Sequence, residues 1–214
     1  MARTAGSDGA RTHDAIRQAA IALIAERGYE AMTLRELAGR VGLQPGSLYR
    51  YFPSKNRMLV ELMVEHLEFL LGGWQHEQPD TADPRERLRA FVDFHIRSHT
   101  LRRREVFVAN MELRSLAPPD RRRVVALRRR YEDGLTDILR AGVDGGVFHV
   151  PDPRIATFAV LAMLTGVGTW FNETGRVGKR ELIDQYTQLV LQCVGTDAAV
   201  AQRDVRAPSQ RRNP

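Results

Sequence analysis

The stretch GLQPGSLYRYFPSK, Gly42 to Lys55, gathers hydrogen-bond donors and positive charge on one short segment bounded by Pro45 and Pro53. Ser47, Tyr49, Arg50 and Tyr51 can each donate to phosphate oxygens or base edges, and Lys55 adds a cation that can reach a second phosphate. Pro45 lacks only an N–H that a first helical position does not use, so it starts a short helix, which Pro53 ends after about seven residues. Leu48 and Phe52, four apart, anchor one face of that helix, which leaves the polar side chains facing outward. Gly46 removes a side chain near the helix start, where free amides attract phosphate.

Two other groups of residues could do chemistry. His95 and His99 share a helical face, a geometry that zinc sites use, but Ile96 stands where a metalloprotease needs glutamate and no third ligand is evident. Arg121 to Arg123 and Arg128 to Arg130 are seven residues apart, so both triplets point to one side of a helix. Such a face suits a pyrophosphate-bearing ligand, or is an ordinary solvated surface with Glu132 and Asp133 beside it. The sequence contains no nucleophile elbow, phosphate-cradling glycine loop or dinucleotide fingerprint, and GGVFHVPDP lacks the context for one. It therefore carries no enzyme, cofactor or metal signature.

The elements that must position these residues are helical. Apolar residues recur at helical spacing from Thr12 onward, with no sustained strand alternation, so the fold class is all-α with about nine helices. Helix one, about 12 to 27, buries Ile16, Ala19, Ala20, Leu23 and Ile24, and Gly28 suits the position past its end. Thr33-x-x-Glu36 is a capping box that opens helix two, whose stripe is Leu34, Leu37, Ala38 and Val41, and Gly42 stops it. Ser54 caps a long fourth helix carrying Met58, Leu59, Leu62, Met63, His66, Leu70 and Trp74 on its inner side. Beyond a polar loop, helices are expected at about 84–100, 103–115, 119–143, 153–172 and 179–194, with Asp152-Pro153 a cap and first turn.

Composition agrees with a DNA-binding role. The 214 residues are 43% hydrophobic, enough for a substantial core, and the single Cys193 excludes an intramolecular disulfide framework. No run approaches the roughly 20 apolar residues that span a bilayer, and AAIALIA is followed at once by Glu26 and Arg27. A soluble, cytoplasmic protein without membrane partners is the expectation. The net charge of +6 lies at the ends: residues 1–57 hold nine Lys and Arg against five Asp and Glu, 58–195 nineteen against nineteen, and 196–214 four against two. A local basic excess is where polyanions dock.

Helix, glycine turn and short helix form a helix-turn-helix, whose second helix enters the major groove. The segment from Ile16 to Leu62, above all TLRELAGRVGLQPGSLYRYFPSKNRML, resembles the DNA-binding domain of TetR-family transcriptional regulators. That resemblance places Arg35, Ser47, Tyr49, Arg50 and Tyr51 where family members touch bases or backbone, and Lys55 on the phosphate lysine of the family pattern. Thr33 at the helix-two cap and Gly46 join this candidate set. Gln44 departs from the short Ser cap of many members, which weakens the cap and can add a base contact. The organisation expected is a disordered arm over 1–12, a three-helix DNA-binding domain over 13–57, a helical effector-binding and dimerisation domain over 58–195, and a disordered tail over 196–214.

The family resemblance implies a homodimer built from the last two long helices, bound as a repressor to a pseudo-palindromic double-stranded operator. Leu161, Thr165, Gly168 and Asn172 lie on one line of one helix, with Leu182, Tyr186, Leu189 and Cys193 on the last, and small Thr165 and Gly168 allow close approach. More loosely, NMELRSLAPPDRRRVVALRRRYEDGL and AGVDGGVFHVPDPR resemble members that sense acyl-CoA thioesters. This implies a small hydrophobic effector such as an acyl-CoA, with Phe91, Phe94, His95, Phe107, Met111 and Trp170 as pocket walls and Arg114 meeting a phosphate. A regulator of drug efflux sensing lipophilic drugs, and an architectural DNA binder without effector, remain open alternatives.

Overall fold

The computed structural model describes residues 5–195. Among the described residues, nine α-helices run in the order α1 (Ala5–Arg27), α2 (Leu34–Arg40), α3 (Pro45–Leu48), α4 (Lys55–Glu77), α5 (Pro84–Leu101), α6 (Arg103–Met111), α7 (Pro118–Asp144), α8 (Pro153–Trp170) and α9 (Lys179–Cys193). A 3-10 turn over Glu112–Ser115 follows α6, and no strand occurs among the described residues. The all-α architecture is as the periodicity dictates. Expected tail residues 196–214 and the first four residues lie outside the described ones.

Local signals explain most boundaries. Gly28 and Gly42 take φ of +81° and +68°, the left-handed conformation that ends a helix at little cost only for glycine. Thr33 Oγ1 accepts from the Glu36 amide at 3.1 Å, Ser54 Oγ from the Arg57 amide at 3.1 Å, and Asp152 Oδ1 from the Arg154 and Ile155 amides. Only half of the expected capping box forms, since the Glu36 carboxylate pairs with Arg27 at 2.6 Å. Two elements differ in length from their sequence expectation. Helix α1 begins at Ala5 rather than near Thr12, so residues 5–12 are helical and not a disordered arm; once nucleated, a helix adds one bond per residue and needs no further apolar stripe. Helix α3 is four residues, not about seven, because beyond Leu48 the chain tightens: the Tyr51 and Phe52 amides both reach Leu48 O at 2.9 Å.

Two compact units result, divided elsewhere than at residue 57. Of the described residues, the first comprises 5–72 with 102–130, the second 73–101 with 131–195. In the first, α1 packs on α2 and α6, and one core joins Ile16, Leu23, Ile24, Leu37, Leu48, Phe52, Met58 and Leu62 to Val108, Ala109, Leu116 and Val124. In the second, α5 packs on α8 and α9, and Trp74, Phe91 and Phe94 form an aromatic cluster with Trp74 edge-on to Phe91 at 5.0 Å. Gly73 admits Phe94 there, because a Cβ would stand 2.9 Å from its ring.

Candidate functional site

In the first unit, the segment after Gly42 presents its polar groups as a short outward ridge. Leu48 and Phe52 are buried at 1% and 2%, while Tyr49 is 54% exposed and Arg50, Gly46, Gln44 and Arg35 are exposed. Buried Leu48 and Phe52 thus flank exposed Tyr49 and Arg50, which holds those two in place from behind. Gln44 precedes α3 in extended conformation and makes no side-chain cap bond, so its amide is not committed to the helix. No atom lies within 4 Å of a Cβ built on Gly46, so internal packing does not require glycine there. Thr33 is exposed but its hydroxyl serves the α2 cap.

Three expected residues sit differently from the outward picture. Ser47 and Tyr51 are half-buried, and Tyr51 packs against the core instead of pointing fully away. Its ring lies 6.4 Å from His13, whose own ring stacks on Phe52 at 4.8 Å. Lys55 Nζ donates to Glu30 O at 3.1 Å and stands 4.3 Å over the Tyr29 ring, a cation–π contact. The ammonium is therefore held at the surface by a carbonyl and an aromatic face.

Sequence reasoning missed the residues that set this platform. The Tyr29 amide donates to Glu112 Oε1 at 3.0 Å, and Glu112 Oε2 accepts from Ser115 Oγ at 2.9 Å. Both Tyr29 and Glu112 are 7% exposed. Burial, with the Glu30 and Glu112 charges, raises the Tyr29 phenol above its ordinary range and keeps it neutral. Tyr29 carries one local signal, its place directly after the helix-ending Gly28; Glu112, 83 residues away, carries none.

In the second unit the expected effector residues divide. Phe91, Phe94 and His95 are buried together, with Tyr131 5.4 Å from Phe91. Tyr131 OH lies 3.1 Å from His95 Nδ1 and Thr165 Oγ1 3.2 Å from His95 Nε2, so both ring nitrogens have protein partners. His99 stacks on His95 at 3.6 Å and its Nδ1 meets His95 O at 3.0 Å. Burial pushes the His99 imidazole down to about 4 and raises the Tyr131 phenol. Trp170 is 55% exposed and stacks on Tyr186. Phe107, Met111 and Arg114 are exposed and belong to the first unit. No group of three metal-ligating side chains occurs among the described residues.

The expected dimer lines divide too. Thr165 is tied to His95, and a Cβ on Gly168 would stand 3.8 Å from His99 O, so that line of α8 faces its own α5. Asn172 is exposed beyond the helix end and its side-chain oxygen accepts from Thr174, while Leu161 is half-buried. The apolar face left open lies roughly a third of a turn round: Ile155 at 66% exposure, Phe158, Ala159, Ala162 and Trp170. On α9, Leu182 is buried, Tyr186 half-buried, and Leu189 and Cys193 exposed.

Residues 16–62 match the family described as bacterial regulatory proteins, tetR family, and residues 81–194 match the tetracyclin repressor-like C-terminal domain. The HTH-type transcriptional repressor KstR2 of Mycobacterium tuberculosis is 29% identical over 194 residues, covering 89% of this chain and 96% of the relative. A tetR-family regulatory protein from Rhodococcus RHA1 superposes with a TM-score of 0.81 at 30% identity, over 87% of this chain and 98% of that one. AibR, solved in complex with isovaleryl coenzyme A and operator DNA, superposes with a TM-score of 0.77 at 26% identity, over 83% and 97%. No helix among the described residues is long and apolar enough to cross a membrane.

Proposed function

Because the chain belongs to the TetR family of bacterial regulatory proteins, we propose that it is a repressor that binds a pseudo-palindromic operator as a homodimer and releases it on binding a small hydrophobic effector of the acyl-CoA class. The family is one of transcriptional regulators, not enzymes. The observation that carries the reading is the exposed Tyr49-Arg50 ridge braced by buried Leu48 and Phe52. In this reading Arg50 and Tyr49 reach base edges or backbone in the major groove, with Arg35, Gln44, Gly46, Ser47 and Tyr51 around them and Lys55 on a phosphate. Paired α3 helices address half-sites about 34 to 36 Å apart, or further on a longer operator. The open apolar face of α8, from Ile155 through Phe158 and Ala162 to Trp170, and Leu189 on α9 support dimerisation through the last two helices.

The effector class is supported by AibR, whose structure holds isovaleryl coenzyme A with operator DNA, and by the aromatic cluster of Trp74, Phe91 and Phe94. Helix α4 carries Lys55 at its start and Trp74 near its end. A ligand that repacks Trp74 shifts α4, and the release of DNA needs that ligand to prefer the released conformation, with coupling on the order of 1 to 3 kcal/mol. The test has two arms. Selection from a randomised duplex pool should enrich one palindrome, which Arg50→Ala binds weakly without loss of thermal stability. A thermal-shift screen should then find acyl-CoA esters raising the melting temperature and lowering operator affinity. Enrichment of no sequence sinks the repressor reading, and stabilisation by lipophilic cations instead of thioesters sinks the effector class.

A further inference from the structure

We propose that the arginine face of the first half of α7 is a second phosphate-binding surface, which grips the DNA backbone beside the half-site occupied by α3; this rests on the reading of the chain as a DNA-binding regulator. Arg121, Arg122, Arg123, Arg129 and Arg130 are all exposed, while Val124 is buried beneath them. Arg122 and Arg129, and Arg123 and Arg130, stand two turns apart on one side. The sixth arginine, Arg128, fixes the rotation of the helix by donating to Ala109 O at 2.8 Å and Asn110 Oδ1 at 3.1 Å.

The acids flanking this face on α7 are engaged elsewhere: Asp120 accepts from Asn56, and Arg154 holds Glu132 at 2.9 Å and Asp133 at 2.6 Å. None of the five exposed arginines forms an ion pair among the described residues. Residues 5–72 and 102–130 of the first unit hold eighteen Lys and Arg against eleven Asp and Glu, and residues 73–101 and 131–195 of the second nine against thirteen. The positive charge therefore belongs to one folded unit and includes α7, although sequence position separates them.

A hydrogen bond sets the location. Asn56 Nδ2 donates to Asp120 Oδ2 at 2.9 Å, joining the first turn of α4 to the first turn of α7. Asn56 follows Lys55 and Asp120 precedes Arg121, so the triplet starts beside the end of α4 that presents the phosphate lysine. From Arg121 to Arg130 the helix rises roughly 13 Å, longer than one diphosphate and matched to a strand of backbone phosphates. Contacts of this kind carry no sequence information, so they add affinity and salt dependence while α3 retains the readout.

The test uses the full chain and the operator enriched above, centred in duplexes of about 24 and 60 base pairs, with affinity measured by anisotropy across a salt series. Replacing Arg121, Arg122 and Arg123 together by Ala should lower the log–log salt slope by about 2 to 5 for two protomers, at about 0.9 per phosphate contact. It should also abolish the tighter binding that the wild type gains from the longer duplex. The triple Lys replacement should keep both. A charge-matched control, Arg140→Ala, Arg176→Ala and Arg180→Ala in the other unit, should keep the length gain and lower the slope far less. Wild-type slope and length gain in the Arg121–Arg123 variant overturn the proposal, as does an equal loss in the control. If the wild-type chain enriches no operator, the repressor reading falls and this proposal falls with it.

Discussion

Glu112→Ala removes a carboxylate that no local pattern reveals, and its cost follows from two bonds. Glu112 Oε1 accepts from the Tyr29 amide at 3.0 Å and Oε2 from Ser115 Oγ at 2.9 Å, with both Tyr29 and Glu112 nearly excluded from water. A hydrogen bond to a charged group contributes about 1.5 to 3 kcal/mol, and the truncation leaves the buried Tyr29 N–H without its acceptor, so the loss should be about 2 to 3 kcal/mol. At about 2 to 4 °C per kcal/mol for a chain of this size, the melting temperature should fall by about 4 to 12 °C. Glu112→Gln keeps an acceptor oxygen for Tyr29 and should recover at least half of the loss. Differential scanning calorimetry of both variants, with operator titrations beside it, reads the effect. Because the Tyr29 ring lies under Lys55, operator binding should weaken in Glu112→Ala and stay near normal in Glu112→Gln. Equal stability of the two variants would refute the reasoning, since it would mean that the acceptor itself contributes nothing.

Further expectations concern the second unit. Burial holds His99 at about 4, against 6.5 for an ordinary imidazole, so the unfolded chain binds the extra proton between those values. Its contribution is complete above pH 6.5 and is lost as pH falls to 4, by up to about 3 kcal/mol; His99→Gln should show a flatter stability profile over that window in urea titrations. A Cβ on Gly142 would overlap the Phe148 ring, so Gly142→Ala should destabilise by about 1 to 3 kcal/mol despite its better helix propensity, and Phe148→Leu should relieve part of that. Phe158→Glu should yield monomers in sedimentation velocity, whereas Leu182→Ala, at a position buried within its own unit, should lower stability and leave the assembly intact.

What the sequence disclosed was local. Thr33, Ser54 and Asp152 cap the helices they precede, Gly28 and Gly42 take the left-handed conformation, and Leu48 and Phe52 are the anchors their spacing implies. The shortening of α3 was not legible, because Pro53 limits a helix without deciding where it tightens. Helix α8 is apolar on nearly every side, so periodicity could not tell the line through Thr165 and Gly168, which meets α5, from the line through Phe158 and Ala162, which stays open. Lys55 read as a free cation because its partners, Glu30 O and Tyr29, lie 25 and 26 positions earlier. Glu132 and Asp133 read as neighbours of the arginine triplets because their partner Arg154 lies 22 and 21 positions on.

The core that braces the Tyr49-Arg50 ridge takes Val108, Ala109, Leu116 and Val124 from far along the chain. A nascent polypeptide that has reached Gly72 holds Tyr49, Arg50 and the rest of that ridge but not these closing side chains. Cotranslational maturation of this ridge must therefore wait until the ribosome has released the start of α7, and fragments that stop at Gly72 should be proteolytically fragile.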